Sequence, residues 1–332
     1  MKVAVIGSGA WGTALAIHLC SNGHDTALWF RNPDKAEQVK LTQYNPSLSE
    51  IHLPDTLKIS SDPTCVANCD LVVIACPSFP IRSVCRTIAP YLSNNTVMVS
   101  VTKGIESGTL LRMSQIVQEE TVRTVVALTG PSHAEELARN IPTGCLAACP
   151  DREAAELVQA AFSSDSFRIY TSPDIVGAEL GGALKNVIAM CAGITDGLGH
   201  GDNTKAMLMT RGLTEMARLG VSLGANKDTF AGLAGVGDLI VTCTSTHSRN
   251  RRAGILIGQG LSPEDAMSKV GAVVEGYYAA KSAWELCIKQ GVDMPILQAA
   301  YSVLYNGVSA DLAVQKLLHR HPKPESEDVG WS

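Results

Sequence analysis

The sequence predicts an α/β domain followed by an all-α domain. Short apolar segments typical of strands alternate with helical patterns through the first half of the chain. From Pro173 onward the pattern changes to long helical segments separated by glycines. Alternating strands and helices are typical of a mainly parallel sheet with helices on its faces. We expect domains at residues 1–172 and 173–320, and a disordered tail at 321–332, which is rich in proline and charge.

Composition and charge exclude several classes of protein. The 332 residues carry a formal net charge of −5, which offers no basic surface for nucleic acid or an anionic membrane. A strand pattern starts at Lys2 in place of a signal peptide, and no apolar run reaches the ~18 residues of a membrane span. The ten cysteines form no CxxC pair and lack metal-ligand spacing. We expect reduced thiols in a cytoplasmic protein, without a metal site and without membrane insertion.

The first strand, at residues 2–7, runs into Gly7-Ser8-Gly9-Ala10-Trp11-Gly12, a helical pattern and a second strand at 25–30. In this context Gly7 permits a tight turn, Gly9 lets a pyrophosphate approach the backbone, and Gly12 lets the helix pack closely on the strand. The helix N-terminus would present free N–H groups to the phosphates. The alternative is a glycine-rich turn of another α/β fold, but the context favours a Rossmann-type dinucleotide site.

The end of the second strand bears on which dinucleotide binds. An acidic residue there would bind the ribose hydroxyls of NAD, but the strand ends in Phe30-Arg31-Asn32 and the first acid is Asp34. Arg31 could pair with a 2′-phosphate, or it could be a solvated loop charge. We expect NADP, or the use of both NADP and NAD.

Later strands bring polar residues to one edge of the sheet. These strands are predicted at residues 70–76, 96–101, 125–129, 143–149 and 167–170. Ligands of open α/β sheets bind at the carboxyl ends of strands, so Lys103 could meet the cofactor or an anionic substrate, or it could simply be exposed. Ser132 and Glu135 have the spacing of a capping box, which would act as a cap alone or as a cap that also contacts cofactor.

One helix that is apolar on nearly every side carries a lysine. Lys185 and Asn186 are the only polar residues at positions 180–190. Because such a helix is normally buried, Lys185 is either a lysine whose ammonium reaches solvent or an acid–base group whose pKa is lowered by burial. Asp238 is an acid within the apolar run 232–243, and it could cap a helix or pair with a buried lysine.

Three arginines lie within four residues in Ser248-Arg249-Asn250-Arg251-Arg252, directly before a helical segment. A cap-type serine, side-chain donors and a helix dipole together suit a phosphate, although a solvated basic face is the alternative. Glu275 could reach a ribose hydroxyl or face solvent. These residues indicate hydride transfer to the carbonyl of a small phosphorylated substrate, with Lys185 giving and taking the proton.

Seven segments between residues 7 and 277 resemble the bacterial NAD(P)-dependent sn-glycerol-3-phosphate dehydrogenases, in the order found in that family. They are Gly7–Ala16, Thr102–Gly104, Gly130–Ser132, Leu180–Asn186, Gly235–Leu239, Ser248–Arg252 and Val273–Tyr277. The resemblance implies reversible reduction of dihydroxyacetone phosphate to sn-glycerol 3-phosphate for phospholipid synthesis in the cytoplasm. It implies NADP or NAD as cofactor, a helical C-terminal domain and a homodimer.

The resemblance also implies site residues. Lys185 would be the general acid/base, assisted by Lys103, Asp238 and Thr242, with Asn186 positioning the substrate. The implied substrate contacts are Lys103, Gly130, Ser132, Lys185, Asp238, Ser248, Arg249 and Asn250. The implied cofactor contacts are Gly7, Gly9, Ala10, Trp11, Gly12, Arg31, Lys103, Ser132, Ala134, Arg249, Val273 and Glu275.

Two departures from the family pattern leave details open. Arg31-Asn32 stands where His or His-Arg is frequent, so the balance between NADH and NADPH is undecided. His52 stands where an aromatic residue commonly precedes Leu-Pro. The rival interpretations are a related ketopantoate or 6-phosphogluconate dehydrogenase, and a non-catalytic NAD(P) sensor.

Overall fold

A computed structural model gives the architecture of residues 1–322, 324 and 325. The predicted tail at 321–332 falls outside these described residues at position 323 and from 326 onward. The predicted fold class is confirmed: an eight-stranded, mostly parallel sheet comes first, and an all-helical region follows it.

The strands are β1 (Lys2–Ile6), β2 (Asp25–Trp29), β3 (Lys58–Ser60), β4 (Leu71–Ile74), β5 (Val97–Ser100), β6 (Val125–Thr129), β7 (Thr143–Ala148) and β8 (Phe167–Ser172). Their order in the sheet is β3-β2-β1-β4-β5-β6-β7-β8, and every neighbouring pair is parallel except β6 and β7. The order reverses direction between β1 and β4. Such a reversal opens a crevice at the carboxyl ends of the strands, where ligands of α/β proteins bind.

Six helices cover the sheet: α1 (Ala10–Ser21), α2 (Pro33–Thr42), α3 (Ile81–Ile88), α4 (Met113–Thr121), α5 (Ala134–Leu137) and α6 (Arg152–Phe162). Both faces are therefore buried, as a parallel sheet requires. Val3 and Val5 of β1 pack into one apolar cluster, whereas Ala4 and Ile6 pack into another on the opposite face.

In the described part of the chain, eight α-helices follow β8: α7 (Ile175–Gly197), α8 (Asp202–Ser222), α9 (Asp238–Thr244), α10 (Arg249–Gly258), α11 (Pro263–Val270), α12 (Glu275–Gln290), α13 (Pro295–Tyr305) and α14 (Ala310–Leu318). A π-helical turn at Leu233–Gly237 leads into α9.

The 23-residue helix α7 lies at the centre of the helical region. By length and composition it could span a membrane, so the prediction that no segment is long and apolar enough was wrong. However, 94% of its most apolar stretch is buried inside the protein, which identifies α7 as a core helix. A Cβ on Gly193 would overlap the carbonyl oxygen of Arg251, and one on Gly254 would overlap that of Met190. The backbones of α7 and α10 are therefore in direct contact.

Candidate active site

The glycine loop after β1 has the geometry of a pyrophosphate site. Gly7 has a φ of +126°, and a Cβ there would lie 2.6 Å from the carbonyl oxygen of Ala75, so only glycine fits. A Cβ on Gly12 would overlap the Gly7 carbonyl oxygen, whereas a Cβ on Gly9 would meet no atom within 4 Å. No side chain caps α1 at Gly9. The N-terminus of this 12-residue helix is thus open to an anion, and the residues fit a bound dinucleotide.

The other predicted cofactor residues lie around this crevice. Ala10 and Trp11 form the half-buried start of α1, and Arg31 is exposed two residues after β2. Val273 is half-buried in the loop before α12, and Ala134 is buried at the start of α5. The predicted contacts of these residues with the dinucleotide are compatible with their positions and remain predictions.

Glu275 is half-buried and hydrogen-bonded within the protein, so it does not simply face solvent. Its carboxylate accepts hydrogen bonds from the Ser78 amide at 3.2 Å and the Ser78 hydroxyl at 2.6 Å. Ser78 lies in the loop after β4, so Glu275 ties the start of α12 to the sheet edge. The predicted contact with the cofactor would have to coexist with this bond.

The predicted capping box at Ser132 was wrong. The N-cap of the four-residue helix α5 is His133, and its side chain makes no capping bond. Ser132 instead donates its hydroxyl to the carbonyl oxygen of Gly130 at 3.0 Å. The bond holds the loop at the end of β6 in a tight turn, where the hydroxyl oxygen can still accept a hydrogen bond.

Lys185 lies at the centre of the candidate site, with 6% of its surface exposed. Its ammonium donates to Asp238 Oδ1 at 2.5 Å and to Thr242 Oγ1 at 2.6 Å. Asp238 and Thr242 are one turn apart on α9, so both face α7. The ion pair expected between the two charges of the apolar segments is present.

A second lysine shares the same carboxylate. Lys103 follows β5 and donates to Asp238 Oδ2 at 2.6 Å and to the Gly130 carbonyl oxygen at 3.3 Å. A Cβ on Gly182 of α7 would lie 2.9 Å from Thr129 Oγ1 and 3.4 Å from Lys103 Cγ. The missing side chain lets α7 approach the sheet edge, which brings Lys103, Lys185 and Asp238 together.

Burial controls the ionisation of Lys185. The pKa of Lys185 is lowered to about 8, mainly because burial removes its hydration; the Asp238 carboxylate opposes this effect, and the nearby Lys103 ammonium adds to it. A lysine with such a pKa exchanges protons readily near neutral pH.

The predicted phosphate segment begins at the N-cap of α10. Ser248 is buried and its hydroxyl accepts the Arg251 amide at 3.2 Å, while Arg249 is exposed. Arg251 donates to Asp196 at 2.8 Å, so this arginine is engaged in an ion pair within the protein. Arg249 is therefore exposed and without this ion pair, whereas Arg251 is held by Asp196.

The two asparagines of the predicted site bind each other. Asn250 Nδ2 donates to Asn186 Oδ1 at 2.9 Å, and Asn250 Oδ1 accepts the Gly276 amide at 2.8 Å. Asn186 Nδ2 has a longer contact of 3.4 Å to the Gly182 carbonyl oxygen. This buried bridge joins α7, α10 and α12, so the asparagines also hold the frame of the site.

Sequence reasoning missed two features at this edge of the sheet. His133 and His247 face each other with ring centroids 5.8 Å apart. Glu179, buried on α7, binds Arg112 and the amide and hydroxyl of Ser114. In the sequence, the histidine pair was indicated only by a histidine beside each predicted ligand segment. The Glu179 contacts were indicated only by an acidic residue in an apolar helix. Within the described part of the chain, no group of three or more His, Cys, Asp or Glu side chains could hold a metal ion.

Comparisons with known proteins agree along the whole chain. The N-terminal and C-terminal profiles of NAD-dependent glycerol-3-phosphate dehydrogenase match residues 2–155 and 174–315. A glycerol-3-phosphate dehydrogenase (NAD(P)+) of Thermoanaerobacter sp. is 49% identical, over 99% of this chain and 100% of that protein. The enzyme of the same name from Bacillus subtilis is 46% identical, over 99% of this chain and 97% of that protein.

Solved structures give the same result. The crystal structure of glycerol-3-phosphate dehydrogenase from Coxiella burnetii superposes with a TM-score of 0.92 at 34% identity, covering 96% of this chain and 99% of that one. A ketopantoate reductase from Ralstonia eutropha reaches a TM-score of 0.61 at 18% identity, over 96% of this chain and 100% of that one. This second likeness shows a shared fold alone.

Proposed function

The chain belongs to the NAD-dependent glycerol-3-phosphate dehydrogenase family, and from this premise we propose how its residues carry out the reaction. The activity is NAD(P)-dependent glycerol-3-phosphate dehydrogenase activity, with dihydroxyacetone phosphate as the oxidised partner. The bound nicotinamide supplies the hydride in reduction and accepts it in oxidation.

Lys185 is the general acid and base of this mechanism. An ammonium has three N–H donors, and Asp238 and Thr242 accept two of those of Lys185. The third is left for the oxygen on C2 of the substrate. During reduction Lys185 Nζ gives its proton to this oxygen as the hydride arrives at C2, and during oxidation Nζ removes the proton from the C2 hydroxyl.

Asp238, Thr242 and Lys103 assist the proton transfer. The Asp238 carboxylate lies between two ammonium groups, and its charge keeps the buried Lys185 able to hold a proton. Thr242 accepts from Lys185 and donates to the Asp238 carbonyl oxygen at 2.6 Å, which fixes the direction of the ammonium. Lys103 adds positive charge beside the oxygen on which negative charge develops.

The remaining site residues hold the two ends of the reacting pair. In this proposal Ser248, Arg249 and the N-terminus of α10 bind the phosphate of the substrate, with Gly130 and Ser132 on the opposite wall. Asn186 and Asn250 keep α7 and α10 in register. The glycine loop, with Ala10, Trp11, Ala134, Val273 and Glu275, holds the dinucleotide, and Arg31 favours the 2′-phosphate of NADP without excluding NAD.

Four further points belong to the proposal. The boundary between the dinucleotide-binding and helical domains lies near residue 172, because the sheet ends at Ser172 and α7 begins at Ile175. The protein acts in the cytoplasm, supplies glycerol 3-phosphate for phospholipid synthesis, and is a homodimer. Size-exclusion chromatography with light scattering tests the last point, since a monomer at micromolar concentration would contradict it.

The buried Lys185–Asp238–Lys103 cluster at the ligand-binding edge of the sheet is the observation that carries this mechanism. We expect the purified protein to oxidise NADPH or NADH when dihydroxyacetone phosphate is added, followed by the loss of near-ultraviolet absorbance. Running both cofactors side by side measures the preference attributed to Arg31. Turnover of ketopantoate in the absence of turnover of dihydroxyacetone phosphate would contradict the proposal.

A further inference from the structure

Two histidines outside the predicted site join its two substrate segments. His133 follows Ser132 at the carboxyl end of β6, and His247 directly precedes Ser248, the N-cap of α10. Their ring centroids are 5.8 Å apart and their planes are inclined at 56°. One ring follows the sheet edge and the other belongs to the helical region, so the pair links the two segments proposed to bind the phosphate.

His133 carries a buried nitrogen that lacks a hydrogen-bond partner. Its Nε2 is inaccessible to solvent, and none of the residues that the structure describes bonds to it. Buried polar atoms are almost always hydrogen-bonded, and an exception inside a ligand site indicates a place for a ligand atom. His247 is exposed and leaves the site open on its own side.

Burial, more than the charges around it, disfavours protonation of the His133 ring. Burial lowers the pKa of His133 most, and the Lys185 ammonium and His247 lower it further, whereas Glu135 and Glu136 on its own helix raise it. A phosphate dianion beside the ring would oppose the cations and favour the protonated imidazole.

We propose that His133 Nε2 donates a hydrogen bond to the phosphate of the substrate, and that His133 takes up one proton when the phosphate dianion binds. This inference rests on the proposed function, because it requires a phosphorylated substrate. The proton enters from solvent and leaves when the phosphate dissociates, so the turnover remains balanced. Charge-assisted hydrogen bonds are roughly twice as strong as neutral ones, so protonation of His133 should increase the affinity for the phosphorylated substrate.

The test compares His133→Leu, which removes the donor, with His133→Gln, which keeps an N–H donor but cannot gain a charge. A matched control is His200→Leu, because His200 also has a buried nitrogen without a described partner. His200 lies beyond the end of α7 at Gly197, which is about 18 Å along the helix from Lys185 at 1.5 Å per residue.

For dihydroxyacetone phosphate we expect His133→Leu to raise KM about tenfold or more, with kcat changed less than about threefold. His133→Gln should recover part of the affinity but lose the rise in KM that we expect of the wild type as the pH increases above the lowered pKa of the free His133. Reduction of dihydroxyacetone, which has no phosphate, should be the same in all three proteins. Calorimetry of inorganic phosphate in buffers of different protonation enthalpy should detect proton uptake in the wild type and none in His133→Gln.

Two results would overturn the inference while leaving the proposed function intact. One is an active wild type whose KM for dihydroxyacetone phosphate is unchanged in His133→Leu. The other is an equal effect of this substitution on dihydroxyacetone and its phosphate, which would mean a structural role. A wild type inactive toward dihydroxyacetone phosphate with either cofactor would overturn the proposed function itself.

Discussion

Two regions of the molecule each place a lysine on the same carboxylate. Lys103 lies at the open end of β5 with 21% of its side chain exposed, whereas Lys185 lies in the middle of the core helix α7 with 8% exposed. Each is paired to one oxygen of Asp238, at 2.6 Å and 2.5 Å. Burial nevertheless lowers the pKa of Lys185 to about 8. In the proposed mechanism, depth in the core, more than contact with a counter-ion, suits Lys185 to be the proton donor.

The strongest test of this difference removes the deeper lysine. We expect Lys185→Met to lower kcat by about 10²–10⁴-fold, because the proton at the C2 oxygen loses its donor and acceptor. The dissociation constant for NADPH, measured by fluorescence titration, should stay within about twofold of the wild-type value. Lys281→Met, at an exposed lysine of α12, is the matched control and should be fully active. Retention of more than a tenth of the wild-type kcat in Lys185→Met would rule out this role.

The second test removes the charge of the Asp238 carboxylate, which both lysines share. Asp238→Asn leaves two adjacent ammonium groups without their counter-ion, and breaking such a buried pair costs about 3–5 kcal/mol. We expect a lower melting temperature, a fall in kcat and a further decrease in the pKa of Lys185. Asp202→Asn is the control, since Asp202 is fully exposed and lies 3.7 Å from Lys205. Equal melting temperatures for the two variants would show that Asp238 carries little of the electrostatic balance.

The pH dependence of the wild type follows from the lowered pKa of Lys185. Reduction needs the ammonium form, so kcat for dihydroxyacetone phosphate should fall about tenfold per pH unit once the pH exceeds about 8. Oxidation needs the free amine, so kcat for glycerol 3-phosphate should rise with pH and level off above the same value. Stopped-flow rates in both directions measure this, and profiles without opposite slopes would contradict the assignment.

Removing the exposed lysine should have the smallest effect. Lys103→Met takes away a positive charge that lowers the pKa of Lys185, so the inflection in the pH profile should move upward. This shift is opposite in sign to the one expected for Asp238→Asn. The loss in kcat should be on the order of tenfold or less, because Lys103 holds no proton that is transferred. An unshifted inflection would mean that the two lysines act independently.

Most of the fold could be predicted because its pattern is local. The buried strands β1, β4, β5 and β6 are continuous apolar segments, and the Lys185–Asp238 pair was predictable because a lone charge in an apolar segment needs a partner. The three-residue strand β3 is too short to carry a pattern, and it was missed.

Other parts of the site depend on contacts that the local sequence does not contain. The spacing of Ser132 and Glu135 suggested a capping box, but Ser132 donates to the Gly130 carbonyl oxygen, which lies two residues away and competes for the same hydroxyl. The pairing of His133 with His247 depends on how α10 packs against the sheet edge. Nothing near either histidine in the chain indicates the other.

The glycine contact between α7 and α10 has a consequence for substrate selection. Lys185 is part of α7 and Ser248 caps α10, and the backbones of these helices touch at Gly193 and Gly254. This backbone contact, together with the Asn186–Asn250 bridge, fixes the distance between Lys185, the proposed proton donor, and Ser248, the proposed phosphate contact. We therefore expect the enzyme to select substrates by the number of bonds between carbonyl and phosphate. A phosphorylated ketone one carbon longer should be turned over far more slowly than dihydroxyacetone phosphate.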